Sequence, residues 1–113
     1  GTPVSSYPYK GKVVNSCNPS SRKRVPNSMV KGYYNVPKGE ASMIDYLVKY
    51  GPLDIIMQVY NSFYDYSGGI YTTVKNDKSI GYHAVNIVGY GVSGGNKYWI
   101  IKVRLMTFLG FIN

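Results

Sequence analysis

A chain of 113 residues with 44% apolar and 16% charged side chains can bury one modest core, and its composition fits a fragment better than a whole enzyme. Thirteen Lys and Arg against five Asp and Glu give a net charge of +8, which permits polyanionic partners, but only Arg22-Lys23-Arg24 forms a cluster. No recognition helix, zinc-ligand spacing or aromatic RNP pattern marks a specific nucleic-acid site, and the apolar stretch Leu105 to Ile112 is far short of the roughly 20 residues of a membrane span.

Residues 1 to 28, rich in Pro, Ser, Asn and basic side chains, read as loop with a short extended piece at Lys12 to Asn15. Position 1 is Gly, and no signal-peptide pattern follows it. The Arg22-Lys23-Arg24 cluster sits between Pro19-Ser20-Ser21 and Pro26-Asn27-Ser28, a pattern that predicts a solvated loop. Met29 to Val36 reads as a strand ended by Pro37-Lys38-Gly39. Glu40 to Tyr50 places Ala41, Ile44, Leu47 and Val48 on one helical face, carries Glu40 in its first turn and stops at Gly51-Pro52. Asp45 and Lys49 on that helix are spaced for an i,i+4 pair worth a few tenths of a kcal/mol, roughly.

Leu53 to Tyr60, Gly69 to Val74, His83 to Tyr90 and Lys97 to Val103 read as strands, with Gly94-Gly95-Asn96 as the turn between antiparallel neighbours. Several strands, one helix and no βαβ alternation predict an α+β fold, mainly antiparallel β, whose sheet curls toward an incomplete barrel. Both faces of the 83–90 strand are largely apolar, so it is expected to be central. The thirteen tyrosines are spread along the chain and many fall on predicted strands, where their rings are expected to pack with the hydroxyls reaching water or a backbone partner.

Two residue types bear on chemistry. Cys17 is the only cysteine and cannot form an internal disulfide; it is either one half of a bridge to another segment or chain, or a free thiol. His83 is the only histidine. A single histidine on a strand is more often structural than catalytic, and nothing in its own neighbourhood of residue types decides the matter.

The order of motifs does. Tyr7-Pro8-Tyr9, a helix ending in Gly51-Pro52, the Tyr66-Ser67-Gly68-Gly69-Ile70-Tyr71 run, His83-Ala84-Val85 with the exit Gly89-Tyr90-Gly91, and Tyr98-Trp99-Ile100-Ile101-Lys102 follow one another along the chain. Together they resemble the β-rich, right-hand C-terminal domain of papain-like cysteine proteases. The resemblance implies a secreted or lysosomal peptide-bond hydrolase that uses no cofactor or metal. Its cleft lies between this domain and a helical N-terminal domain carrying the nucleophilic cysteine. It implies that His83 is the general base and acid, that Ile56 and Ala84 line the pocket for a substrate side chain, and that Cys17 is a half-cystine whose partner lies outside the chain.

Two departures qualify this. The segment Asn15-Ser16-Cys17-Asn18-Pro19 has none of the context of the family's nucleophile, and Val103 stands where the family has the asparagine that orients the histidine. Valine offers no side-chain hydrogen bond to fix the imidazole tautomer. Residues 1–102 are therefore expected to form a partial papain-like domain that is inactive alone, or a non-catalytic module that binds peptides or a protease. Residues 103–113 form an apolar tail without family counterpart. The codons for Lys102-Val103-Arg104 can contain a splice-donor sequence, so the tail reads as translated intron or a truncated splice form, or alternatively as a true strand covering the sheet edge.

Overall fold

A computed structural model describes residues 1–13, 16, 24–103 and 109–112, the last four by their backbone alone. Cys17, Arg22, Lys23 and the last two residues of the extended piece expected at Lys12 to Asn15 lie outside the described residues. The chain divides into two compact units, Gly1–Asn35 and Val36–Asn113.

The first unit is held by turns. The amides of Ser6 and Tyr7 donate to the Pro3 carbonyl at 3.0 and 3.1 Å, and that of Val25 donates to the Gly1 carbonyl at 2.9 Å. The Ser28 hydroxyl donates to the Val25 carbonyl at 2.7 Å. The strand expected at Met29 to Val36 does not form: none of these residues lies in a described strand, and Met29 through Asn35 are exposed. Apolar content alone cannot make a strand without a neighbour to complete its hydrogen-bond ladder.

The second unit packs one helix on a sheet. Helix α1 (Glu40–Tyr50) leads into β1 (Leu53–Tyr60), a 3₁₀ segment (Asn61–Asp65), β2 (Ile70–Tyr71), β3 (Ser79–Ser93), β4 (Asn96–Lys102) and β5 (Leu109–Ile112). The strand order is β1-β3-β4-β5-β2, antiparallel except for the short β2–β5 pair, and the sheet stays open rather than closing into a barrel. The expected α+β class holds, with β3 flanked by β1 and β4 as its apolar run requires. The expected strand at Gly69 to Val74 contracts to Ile70–Tyr71, because only these two residues find a partner, in β5.

The helix ends where Gly51 adopts φ 101° and donates its amide to the Leu47 carbonyl at 3.0 Å, with Pro52 blocking continuation. The buried stripe differs from the expected one. Leu47 is buried and Met43, one turn earlier, packs against the core, while Ala41 and Val48 face solvent. A helix of three turns laid on a sheet touches it along a single i,i+4 line, and here that line is 43–47. The ion pair of α1 also differs: among the described residues Glu40 pairs with Lys97 at 2.8 Å, and the Lys49 ammonium lies 5.1 Å from the Tyr50 ring centre instead of on Asp45. The Glu40–Lys97 pair is solvent-exposed and contributes at most about 1 kcal/mol.

The core consists of Leu47, Val85, Ile87 and Ile101, with Met43, Leu53, Ile55, Met57, Trp99 and Val103 packed around it. Ile87 and Ile101 face each other across β3 and β4 at 0% and 1% exposure. The β3–β4 turn is the two-residue loop Gly94-Gly95, whose φ values of 56° and 84° match the left-handed geometry that a tight hairpin demands. Gly89 and Gly91 serve a different need. A Cβ at 89 would press on the Ile100 side chain at 3.0 Å, and one at 91 would overlap the Tyr98 ring, so the Gly-Tyr-Gly sequence lets two β4 side chains lie across the strand. The 3₁₀ segment, absent from the sequence reading, is pinned by the Ser62 hydroxyl, which donates to Asp77, and by Phe63 packed edge-on against Tyr71 at 5.1 Å. Several tyrosine rings pack as expected, Tyr66 and Tyr71 with Phe63 and Tyr90 against Trp99, and the Tyr66 hydroxyl donates to the Gly69 carbonyl, whereas Tyr33, Tyr34, Tyr64 and Tyr82 stand exposed.

Candidate functional site

His83 is the fifth residue of β3, not its first, and pairs with Met57 of β1. The next position pairs Ala84 with Ile56, so the three residues singled out for the site sit side by side on two strands. Strand alternation sends them to different faces. His83 is half-buried on the side of Val85 and Ile87, whereas Ile56 and Ala84 share the opposite, open face with Tyr82. On that face Ile56 and Tyr82 are 75% and 74% exposed.

Two local features set where His83 points. The pairing slips between Val59 and Tyr60, so that Val59 faces Gly81 and Tyr60 faces Ser79, leaving Ile80 as the extra residue of a β-bulge. Gly81 itself has φ 131°, a conformation that strains any residue with a Cβ. The bulge and the glycine lie within three residues of His83 and rotate the start of β3 before the histidine is reached. Gly81→Ala is expected to lower stability by about 1–2 kcal/mol although nothing crowds the site, a cost measurable as a reduced urea midpoint.

On its other side β3 loses its neighbour near the histidine. Pairing with β4 ends at Asn86 and Lys102, so Tyr82, His83 and Ala84 have β1 alone beside them among the described strands. Val103 follows directly and is half-buried against the core that contains Val85. It reaches the side of the sheet that carries His83, but with methyl groups only. Among the described residues nothing hydrogen-bonds the imidazole. On the open face the Asn86 amide donates to the Asp54 carboxylate, and the Gln58 amide donates to the Ser79 hydroxyl at 2.8 Å, so the polar side chains bordering Ile56 and Ala84 bond one another.

The arrangement is a wall rather than an enclosed pocket. Two concavities of this unit, about 620 and 300 Å³, lie against α1 around Tyr46, Tyr50 and Tyr90 and around Tyr90, Trp99 and Lys97, and neither includes His83, Ile56 or Ala84. A half-buried imidazole on a strand can take and return a proton, and an Ile–Ala pair can hold an apolar side chain. Neither is the thiol that serves the papain-like enzymes as nucleophile. The only cysteine, Cys17, lies outside the described residues.

Comparison with known proteins places this geometry. The model of the papain family cysteine proteases matches residues 2–104. The chain is 33% identical over 105 residues to mouse cathepsin 7, covering 87% of this chain and 30% of that protein. It is 36% identical over 100 residues to mouse pro-cathepsin H, covering 86% and 29%. Among solved structures, procathepsin B S9 of Trypanosoma congolense superposes with a TM-score of 0.59 at 29% identity, covering 66% of this chain and 27% of that one. The chain thus spans about a third or less of the length of these relatives. The match runs through the helix, the His-Ala-Val strand and the Tyr-Trp-Ile-Ile-Lys strand, and by it the chain belongs to the papain family of cysteine proteases.

Proposed function

We propose that this chain is the base-bearing part of a papain-like cysteine endopeptidase, supplying His83 as general base and acid and the Ile56–Ala84 pair as one wall of the substrate pocket. The observation that carries the reading is the β1–β3 register, which sets the His83-Ala84 dipeptide directly against Met57 and Ile56. In this mechanism the nucleophile is a thiolate on an N-terminal papain-like domain. His83 takes the thiol proton and later returns it to the leaving amine, with peptide or protein as substrate. The apolar wall selects an apolar substrate side chain. Residues 1–102 are the family-like part and 103–113 an appended tail. Cys17 bridges to the N-terminal domain, in the lysosomal or secretory setting typical of cathepsins.

The chain alone is inactive in this reading, because its two missing contributions are the ones chemistry cannot omit: an attacking atom and an oriented imidazole. A second reading, a non-catalytic module that binds peptides or a protease, draws support from Val103, whose side chain packs into the core where a hydrogen-bonding residue would be needed. A thiol-directed peptidyl probe separates the two on the full-length gene product. Labelling that requires His83 supports the peptidase; peptide binding without labelling supports the module and removes the first reading. Genomic sequence tests the tail: a splice donor at Lys102-Val103 followed downstream by an Asn-Ser-Trp-Gly exon is expected, and its absence leaves 103–113 as native sequence.

A further inference from the structure

The bulge that precedes His83 has a visible cause. From Leu53 opposite Ile87 to Val59 opposite Gly81, β1 and β3 keep one register, and at Tyr60 opposite Ser79 the register is one residue out of step. The next contact keeps to the shifted register: the Asn61 amide donates to the Lys78 carbonyl at 3.0 Å. A regular ladder would instead set Ile80 against Tyr60. Burial of Val85 and Ile87 fixes the register on the core side, so whatever holds Lys78 and Ser79 out of step is what makes the bulge.

Two side-chain ties do so. The first lies on residues 72–78, which join β2 to β3 without strand or helix, and of which Asp77 alone is half-buried. Its carboxylate accepts from the Ser62 amide at 3.4 and 3.3 Å and from the Ser62 hydroxyl. That hydroxyl also shares a hydrogen bond of 2.7 Å with the phenol of Tyr71, which is 7% exposed and packed edge-on against Phe63. Asp77 is thereby bonded to the 3₁₀ segment and, through Ser62, to β2. The second tie is the bond of 2.8 Å from the Gln58 amide to the Ser79 hydroxyl. It exists because the bulge turns Ser79 to the face of Gln58 and Tyr60, where plain alternation from His83 and Gly81 would have turned it away. A hydrogen bond to a carboxylate is roughly twice as strong as one between neutral groups, so Asp77 carries the larger share.

We propose that Asp77 is a positioning residue for His83. It holds the entry of β3 one residue out of step, and the resulting bulge sets the twist with which the strand presents the imidazole; bulges beside functional sites re-aim side chains in this way. The consequence for turnover rests on the peptidase reading of His83, whereas the structural claim does not.

The test is NMR of the 113-residue chain, whose single histidine gives one set of ring signals. In the parent chain a cross-strand contact is expected between Tyr60 and Ser79, and ring contacts between His83 and Met57. In Asp77→Ala, and in the milder Ser62→Ala, the Tyr60 contact is expected to move from Ser79 to Ile80, with the balance between the two registers shifted by about tenfold or more. The His83 ring signals are expected to move with it. Asp77→Asn, which keeps an acceptor oxygen, is expected to retain most of the parent's signals, and the Ile87–Ile101 contacts are expected to persist in all three variants. In an enzyme made by joining the nucleophile-bearing half of a mouse cathepsin to this chain, Asp77→Ala is expected to lower kcat by about tenfold or more with KM within about threefold, and to add nothing once His83 is replaced by alanine. A Tyr60–Ser79 contact that persists in both alanine variants, or a register change that leaves the His83 ring signals in place, overturns the proposal. So does loss of the Ile87–Ile101 contacts in every variant, which makes Asp77 a support of the whole unit. A parent enzyme without turnover counts against the peptidase reading alone, and the ring signals still decide the role of Asp77.

Discussion

In a chimera joining the nucleophile-bearing N-terminal half of a mouse cathepsin to this chain, His83→Ala is expected to lower kcat by about 10⁴-fold or more, toward the background left by binding alone. The same chimera with His83 intact is expected to be a weak enzyme. On the proposed reading Val103 stands at the position of the family's orienting residue and offers only methyl groups, and misorientation of a base costs orders of magnitude even when nucleophile and base are both present. Val103→Asn is therefore expected to raise kcat by roughly a hundredfold or more, and to do so only with His83 present. Hydrolysis of a fluorogenic peptide by the four combinations measures this directly. If Val103→Asn raises the rate of the His83→Ala variant equally, position 103 does not act through the histidine. The substitution also removes methyl groups from the core edge, so part of the gain is offset by lower stability.

The second large effect concerns the core. Among the described residues a cluster of four buried hydrophobic side chains forms the core of the second unit, and Ile87 and Ile101 are the two with almost no exposure. Truncation of a buried isoleucine to alanine costs about 2–5 kcal/mol through lost burial and the cavity it leaves. A unit with so small a core has little stability beyond that. Ile87→Ala is expected to remove amide protection across the paired segments of β3 and β4, as read by hydrogen exchange. Ile56→Ala, on the exposed face of the same sheet, is expected to change stability by no more than about 0.5 kcal/mol while altering substrate preference in the chimera. Protection that survives Ile87→Ala would show that the sheet is held by something other than this core.

The contrast between Ile87 and Ile56 also marks what the sequence could and could not reveal. The bounds of α1 and β1 are legible because Pro37-Lys38-Gly39 and Gly51-Pro52 punctuate them with residues whose backbone preferences leave little choice. The β3–β4 hairpin is legible because Gly94-Gly95 suits a left-handed two-residue turn. The sides of the sheet are not. β3 is apolar on both faces, and a pattern with two apolar faces predicts a central strand without saying which face meets the helix. The structure buries Val85 and Ile87 and leaves Tyr82 and Ala84 in the open, and with them Ile56.

The misread at Met29 to Val36 has the same origin. Valine and tyrosine in short runs suit a strand, but strand formation is decided by a neighbouring strand that local sequence does not contain. His83 illustrates the converse. Its residue type and local pattern favour a structural role, and only the order of distant motifs points to a catalytic one. The bulge at Ile80 and the φ of Gly81, which position the histidine, left no trace in the sequence except the glycine itself.

The central claim is that this chain holds the base and the pocket wall of a cysteine peptidase but not the attacking group. It is tested most directly by assaying peptide hydrolysis and thiol-probe labelling of the isolated 113-residue chain beside the chimera. The account predicts no hydrolysis and no mechanism-dependent labelling by the isolated chain, and His83-dependent turnover once the nucleophile-bearing half is attached. Turnover by the isolated chain that is lost on Cys17→Ser, or turnover by the chimera that survives His83→Ala, would contradict it.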